Sequence, residues 1–328
     1  MILAGDIGGT KTVLAICDDR GVISRDAVFA CDQFASLEAI LREFLRGETL
    51  QAACFGVAGP VVGGVAKITN LPWTIDAAKL TTELGGVPVA LLNDLQATAL
   101  GTLVLPPQAF AVLQAGRASV EPHGSIAVIA PGTGLGEAML VWDGTRYVAQ
   151  PSEGGHADFA PTDDEQIELL RFLRSRHGKH VSFERVLSGD GIGDLYDFAR
   201  QQLRSPEPSW LAAELASGAD RNAVVSKAGL AKTDDACVRA LDLFARVLGA
   251  EAGNLALRGL TTGGVLIGGG IPPKILPALQ TGALVERFNN KGRFSTWTAG
   301  LAVRVTLEPR AALFGAAQYA VSHVPAAR

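Results

Sequence analysis

Apolar residues open the chain in short runs separated by turn chemistry. Ile2–Ile7 and Lys11–Cys17 flank Gly8-Gly9-Thr10, and Val22–Phe29 follows Asp18-Asp19-Arg20-Gly21. Runs of this length between glycine-rich breaks predict three β-strands. At Leu37–Leu45 the period changes, with Leu37, Ile40, Leu41 and Phe44 on one face of a predicted helix. A strand over Ala52–Val57 follows, then the loop "AGPVVGG", a short helix around Asp76–Leu84, a strand at "VPVALL" and a helix at "LQATALGTL". This β-β-β-α-β-α-β-α order predicts a mixed sheet, a meander joined to parallel strands fed by crossover helices.

The arrangement starts again near residue 125. "SIAVIAPGTGLGEAMLVWDG" has the strand, glycine-rich turn and strand of "ILAGDIGGTKTVLAICDDRG", with few identities. Helices are predicted at about 163–176, 190–203, 234–258 and 275–288, with strands at "GVLIGGG" and Leu301–Leu307 and a last helix at Ala311–Ser322. Two hairpins opening two similar halves predict an α/β protein of duplicated domains facing one another across a cleft.

Composition narrows the function classes. The 328 residues are 48% hydrophobic and 19% charged, which suits a globular chain of two domains or one large one. A net charge of −4 supplies no basic face for nucleic acid. Cys17, Cys31, Cys54 and Cys237 are scattered without a C-x-x-C pair, so neither a zinc knuckle nor a disulfide framework is expected. "MILAGDIGG" lacks a basic leader, and no apolar run has the length of a membrane span. A cytoplasmic protein without membrane or nucleic-acid partners is expected.

Several clusters are candidates for chemistry. The Gly8-Gly9-Thr10-Lys11 turn is either a hairpin shaped by glycine alone or a nest of backbone N–H groups for a phosphate. In the second case Thr10 and Lys11 add a hydroxyl and a cation, and Asp6 would hold a hydrated Mg²⁺. Gly132-Thr133-Gly134 and Gly268-Gly269-Gly270 form similar clusters, and none fits a Walker A loop or a dinucleotide fingerprint. Asn93-Asp94 closes a strand where a helix begins, so Asp94 is either an N-cap or a carboxylate presented at the sheet's ligand edge. Glu153 and His156 flank a Gly-Gly bend, a polar ligand site or a structural turn, and Glu184 alone carries no signal.

In order, "GDIGGTKT", "VAGPV", "TNLPW", "LNDLQATA", "APGTGLGEA", "EGGHADFAP", "ERVLSG", "GNLAL", "GGVLIGGGI" and "NKGRF" run from residue 5 to about 294. Together they resemble the bacterial glucokinase family, within the superfamily of sugar kinases, heat-shock protein 70 and actin. The resemblance implies two RNase-H-like (actin-like ATPase) domains around a central cleft. The smaller would comprise 1–103 plus about 308–328, and the larger 104–307. It implies transfer of the ATP γ-phosphoryl to the 6-hydroxyl of glucose, usually by a homodimer.

By the same resemblance, Asp94 would be the general base, and Asn93, Asp94, Glu153, His156 and Glu184 would hold glucose. Asp6, Gly8, Gly9, Thr10, Lys11, Gly132, Thr133, Gly134, Gly268, Gly269 and Gly270 would serve ATP, with Asp6 reaching Mg²⁺ through water. Some members carry Asn where this chain has Lys11. The related repressor–kinases often have Lys there, together with a cysteine-rich zinc motif absent from this sequence. The alternatives are a kinase for another hexose or N-acetylhexosamine and a non-catalytic sugar-sensing regulator. A regulator needs a helix-turn-helix, for which a first strand at residue 2 is expected to leave no room.

Overall fold

The computed structural model describes residues 1–68, 71–117 and 121–322. Thr69 and Asn70 of the "TNLPW" motif lie outside the described residues, as does 323–328 of the expected C-terminal segment. The chain divides into two compact units, one of Met1–Ala109, Leu140–Pro151 and the segment from Glu308 on, the other of Phe110–Met139 and Ser152–Leu307.

Unit 1 begins with the meander β1 (Ile2–Ile7), β2 (Lys11–Cys17) and β3 (Ile23–Ala30). After α1 (Leu37–Leu45), β4 (Ala52–Val57) pairs with β1 in parallel. The "AGPVVGG" segment, read from sequence as a loop, contributes to a small antiparallel sheet of β5 (Val61–Val62), β6 (Val65–Lys67) and β7 (Thr74–Asp76). Asp76 caps α2 (Ala77–Glu83) by accepting from the Ala78 and Lys79 N–H groups. Then β8 (Val89–Asn93) pairs in parallel with β4 and leads into α3 (Asp94–Thr102). The sheet order is β3-β2-β1-β4-β8, as the mixed-sheet pattern predicts. Both β1 and β4 are nearly continuously buried, as central strands covered on both faces must be.

After unit 1's α3 come β9 (Phe110–Gln114), β10 (Ile126–Pro131), β11 (Leu135–Trp142) and β12 (Tyr147–Ser152), of which β9, β10 and the start of β11 lie in unit 2. There follow α4 (Asp164–His177), α5 (Gly189–Leu203), α6 (Ser209–Ala216), α7 (Arg221–Ala231) and α8 (Asp235–Gly259). Next come β13 (Val265–Ile267), α9 (Leu276–Leu279), α10 (Ala283–Asn289), α11 (Ser295–Thr298) and β14 (Val303–Thr306). The sheet order is β12-β11-β10-β13-β14-β9, and the outer arm Leu140–Pro151 of β11 and β12 belongs to unit 1. The core wraps α8, with Phe183, Phe198, Phe244 and Phe288 buried together.

Finally α12 (Ala311–Ser322) returns to unit 1 and crosses α3 at very short range. A Cβ at Gly101 would stand 1.8 Å from the Ala311 carbonyl oxygen, and one at Gly315 would stand 1.8 Å from that of Ala97. On its other side α3 rests on the sheet, where a Cβ at Gly56 would stand 2.8 Å from Ala97 Cβ. Glycine at these positions seats α3 tightly between sheet and helix, and α3 carries Asn93-Asp94 at its start.

Candidate active site

Asp6 lies near the end of β1, beside Gly56 of β4, and the Gly8–Lys11 turn follows at once. The Gly8 N–H donates to the Lys11 carbonyl at 3.0 Å, so that group closes the hairpin itself. Cys31 lies behind the turn, donating its N–H to the Thr10 carbonyl at 2.9 Å. Because Gly56 has no side chain, the start of α3 comes close, and a Cβ there would stand 3.9 Å from Asp94 Cα. Burial and then the neighbouring Asp94 push the Asp6 carboxyl up to about 6, against the opposing pull of Lys11.

The N-cap reading of Asp94 is excluded by its neighbour. Asn93 is the N-cap of α3, its Oδ1 accepting from the Leu95 N–H at 2.9 Å. Its backbone N–H donates to Gln96 Oε1 at 3.1 Å, which completes a capping box. Asn93 Nδ2 also donates to the Gly59 carbonyl at 3.1 Å. Asp94 is the first helical residue and is exposed, with Oδ1 accepting from the Leu95 N–H at 2.9 Å. The N-terminal end of a helix favours a negative charge at this position.

In unit 2, the Gly132–Gly134 hairpin joins β10 to β11, and the Gly268–Gly270 turn packs against it. A Cβ at Gly269 would stand 2.2 Å from the Pro131 carbonyl oxygen, and the Gly268 N–H donates to the Ile129 carbonyl at 2.8 Å. The Gly132 N–H is spent on the Gly134 carbonyl at 2.8 Å. The Gly132 carbonyl in turn accepts from Gly189 N–H at 2.9 Å, so the first residue of α5 meets the hairpin. A helix N-terminus beside glycine turns is suited to anions. The helix is the one expected over about 190–203, and its Ser188-capped start beside the hairpin is what the sequence did not reveal.

Three of the sequence-predicted sugar residues come together. His156 Nε2 is 3.8 Å from Glu153 Oε2, and its Nδ1 is 3.8 Å from Glu184 Oε1. Glu184 Oε2 accepts from the Leu135 N–H at 2.9 Å, and a Cβ at Gly134 would stand 2.4 Å from the same oxygen. Glu184 therefore ties the His156 turn to the Gly132–Gly134 hairpin. The exposed imidazole and the carboxylates beside it are the kind of donor and acceptor set that binds a polyol. Asn93 and Asp94 belong to unit 1, Glu153, His156 and Glu184 to unit 2.

The Mg²⁺ that the resemblance implies fits the residues present. Asp6 is a hard oxygen donor, and a divalent cation beside it would offset the repulsion it feels from Asp94. Among the described residues no group of three or more His, Cys, Asp or Glu side chains is placed to hold a metal. Mg²⁺ characteristically uses one or two carboxylates, with waters and substrate phosphates filling the remaining positions.

A family model described as Glucokinase matches residues 3–323. The glucokinase of Nostoc punctiforme is 39% identical over 97% of this chain and 98% of its own length. The crystal structure of a glucokinase from an Antarctic psychrotroph superposes with a TM-score of 0.85 at 31% identity, covering 98% of both chains. A glucokinase of Streptomyces griseus, from the group termed ROK and solved with glucose and AMPPNP, shares the fold at a TM-score of 0.62 and 21% identity, covering 98% of this chain and 99% of its own. The α/β architecture with mixed sheets is that of the actin-like ATPases, and the match along nearly all of its length shows that the chain belongs to the glucokinase family.

Proposed function

We propose that the protein is a glucokinase, transferring the γ-phosphoryl of ATP to the 6-hydroxyl of glucose to give glucose 6-phosphate and ADP. The observation that carries the mechanism is the division of labour at the start of α3. Asn93 does the capping, which leaves Asp94 exposed as a carboxylate able to accept a proton. A sugar hydroxyl is a poor nucleophile at neutral pH, and a positioned base contributes typically about 10²–10⁴-fold. Family membership supports the sugar and the donor, and the Streptomyces griseus relative was solved with glucose and a nucleotide.

In this proposal Asn93, Glu153, His156 and Glu184 orient the sugar while Asp94 takes the proton from its 6-hydroxyl. Gly8 and Gly132 spend their N–H groups on their own turns, so the phosphate donors would be the N–H groups of Gly9, Thr10, Thr133 and Gly134, with Lys11 adding charge. Gly268–Gly270 would border the nucleotide. Mg²⁺, held by Asp6 through water, would neutralise phosphate charge when bound. The proposal extends to a homodimer, as the family resemblance implies, and to the cytoplasm, as expected from the sequence. No described helix is long and apolar enough to cross a membrane.

The test is a coupled assay over a panel of sugars, run on the wild type and on Asp94→Asn. Glucose should be the preferred acceptor, with kcat of the variant down by about 10²-fold or more and glucose binding largely retained. Near-normal kcat in Asp94→Asn removes Asp94 from the mechanism. Preference for an N-acetylhexosamine would replace the proposed substrate.

A further inference from the structure

Beneath the Glu153–His156 turn lies a carboxyl group that the phosphoryl transfer does not use. Glu137, in the middle of β11, is 1% exposed, and neither of its carboxyl oxygens has a hydrogen-bond partner. It lies hard against the turn, for a Cβ at Gly154 would stand 2.1 Å from Glu137 Oε2. The adjoining Gly155 is equally close to β11, its absent Cβ 2.1 Å from the Leu135 carbonyl oxygen. The Gly-Gly pair is therefore required where it stands, because it lets the turn settle onto Glu137 and its strand.

Arg258 favours a negative charge on Glu137 from a distance but gives its hydrogen bond to Glu251, whose own charge opposes one there. Glu251 of α8 is fully buried and satisfied, receiving bonds from Arg258 Nη1 at 2.6 Å and Asn254 Nδ2 at 2.9 Å. Lys291 is engaged elsewhere, donating to Asn254 Oδ1 at 2.6 Å and the Ala250 carbonyl at 2.8 Å. On the turn itself, the Gly154 N–H is held by Ser152 Oγ at 2.9 Å, and Glu153 and His156 are exposed. An ionised Glu137 thus has no donor in place. It must gain one by admitting water under the turn or by shifting the turn, since a buried carboxylate without donors is costly.

We propose that Glu137 is a positioning residue: its uncharged carboxyl lets the Glu153–His156 turn sit in its sugar-binding place, and its ionisation loosens that turn and weakens the hold on glucose. The inference rests on the reading of Glu153 and His156 as sugar ligands. Burial first, and Glu251 second, push the Glu137 carboxyl up from 4.5 to about 7, with Arg258 pulling the other way. The sign follows from linkage. The packed form holds its proton more tightly than a loosened one, so it is favoured at low pH and progressively lost as pH rises to about 7 and beyond.

The experiment measures KM for glucose, KM for ATP and kcat on the full chain from about pH 6 to about pH 8.5. The wild-type KM for glucose should rise about 3- to 10-fold across this range while KM for ATP stays nearly level. In Glu137→Gln, a neutral isostere, KM for glucose should keep the wild type's low-pH value throughout. A rise retained in Glu137→Gln overturns the proposal, as does a flat wild-type profile. Glu251→Gln removes the like charge and should move the rise to lower pH, and an unmoved rise there also overturns it, whether or not Glu137→Gln folds. His156→Ala separates the two readings. If it leaves KM for glucose unchanged, the turn is not a sugar site; if it raises that KM while Glu137→Gln behaves as wild type, the positioning role alone fails.

Discussion

Asn93 and Asp94 are neighbours of nearly equal size with opposite duties. The Asn93 side chain accepts from Leu95 and donates one Nδ2 hydrogen to Gly59, so it pins the strand–helix junction to the loop after β4, and the second Nδ2 hydrogen is the one that would serve the sugar. Asn93→Ala should lower stability by about 0.5–2 kcal/mol through the lost cap. Its KM for glucose should rise as well, because the junction that aims Asp94 loosens. A variant with wild-type Tm and KM would show that neither cap nor tether matters. From sequence, the dipeptide was legible as a helix start at a strand end, but the division of duties was not. Either residue is an acceptable N-cap, and only backbone geometry decides which one caps. Glu137 was invisible for a different reason. In "GLGEAML" a lone carboxyl reads as the solvent-facing position of a half-buried strand, and nothing local reveals that the Gly154 turn covers it.

Elements with a strong apolar period were legible to within a residue or two. Leu37, Ile40, Leu41, Phe44 and Leu45 of α1 are all buried, as their spacing predicts. The helices α6 and α7 were not read, because α6 buries only Leu211 and α7 is a short run rich in small residues with little contrast between its faces. The helix expected over 275–288 is two helices, broken where Gly282 adopts a φ of 98°. The pairing of α3 with α12 is the element-level feature that most affects the site, since two glycines bring the backbones together from opposite sides. Gly315→Val should force α3 and α12 apart, costing about 1–3 kcal/mol or more by overpacking. It should lower kcat too, because the helix bearing Asp94 moves with the contact. Thermal melts together with steady-state kinetics measure both effects. Unchanged Tm would mean that the crossing yields without strain, and normal kcat with a lowered Tm would uncouple the crossing from catalysis.

At the scale of the whole molecule, the proposed residues divide by unit. Asp6, the Gly8–Lys11 turn, Asn93 and Asp94 belong to unit 1, whereas the Gly132–Gly134 and Gly268–Gly270 turns, Glu153, His156 and Glu184 belong to unit 2. Each unit has its own buried core, and a ligand held by one alone would protect only the elements of that unit. Glucose is proposed to engage residues of both, so amide hydrogen exchange offers a test resolved along the chain. Saturating glucose should slow exchange at the start of α3 and also through the turns at Gly154–His156 and Phe183–Arg185. Added Mg²⁺ and a non-hydrolysable ATP analogue should extend protection to the Gly8–Lys11, Gly132–Gly134 and Gly268–Gly270 turns. At about 100-fold excess over Kd a ligand stabilises the bound state by about 2.7 kcal/mol, which corresponds to roughly 100-fold slower opening-limited exchange where the site must open first. Protection confined to unit 2 would leave the sugar ligands of that unit in place but remove Asn93 and Asp94 from the sugar site, and with them the proposed base.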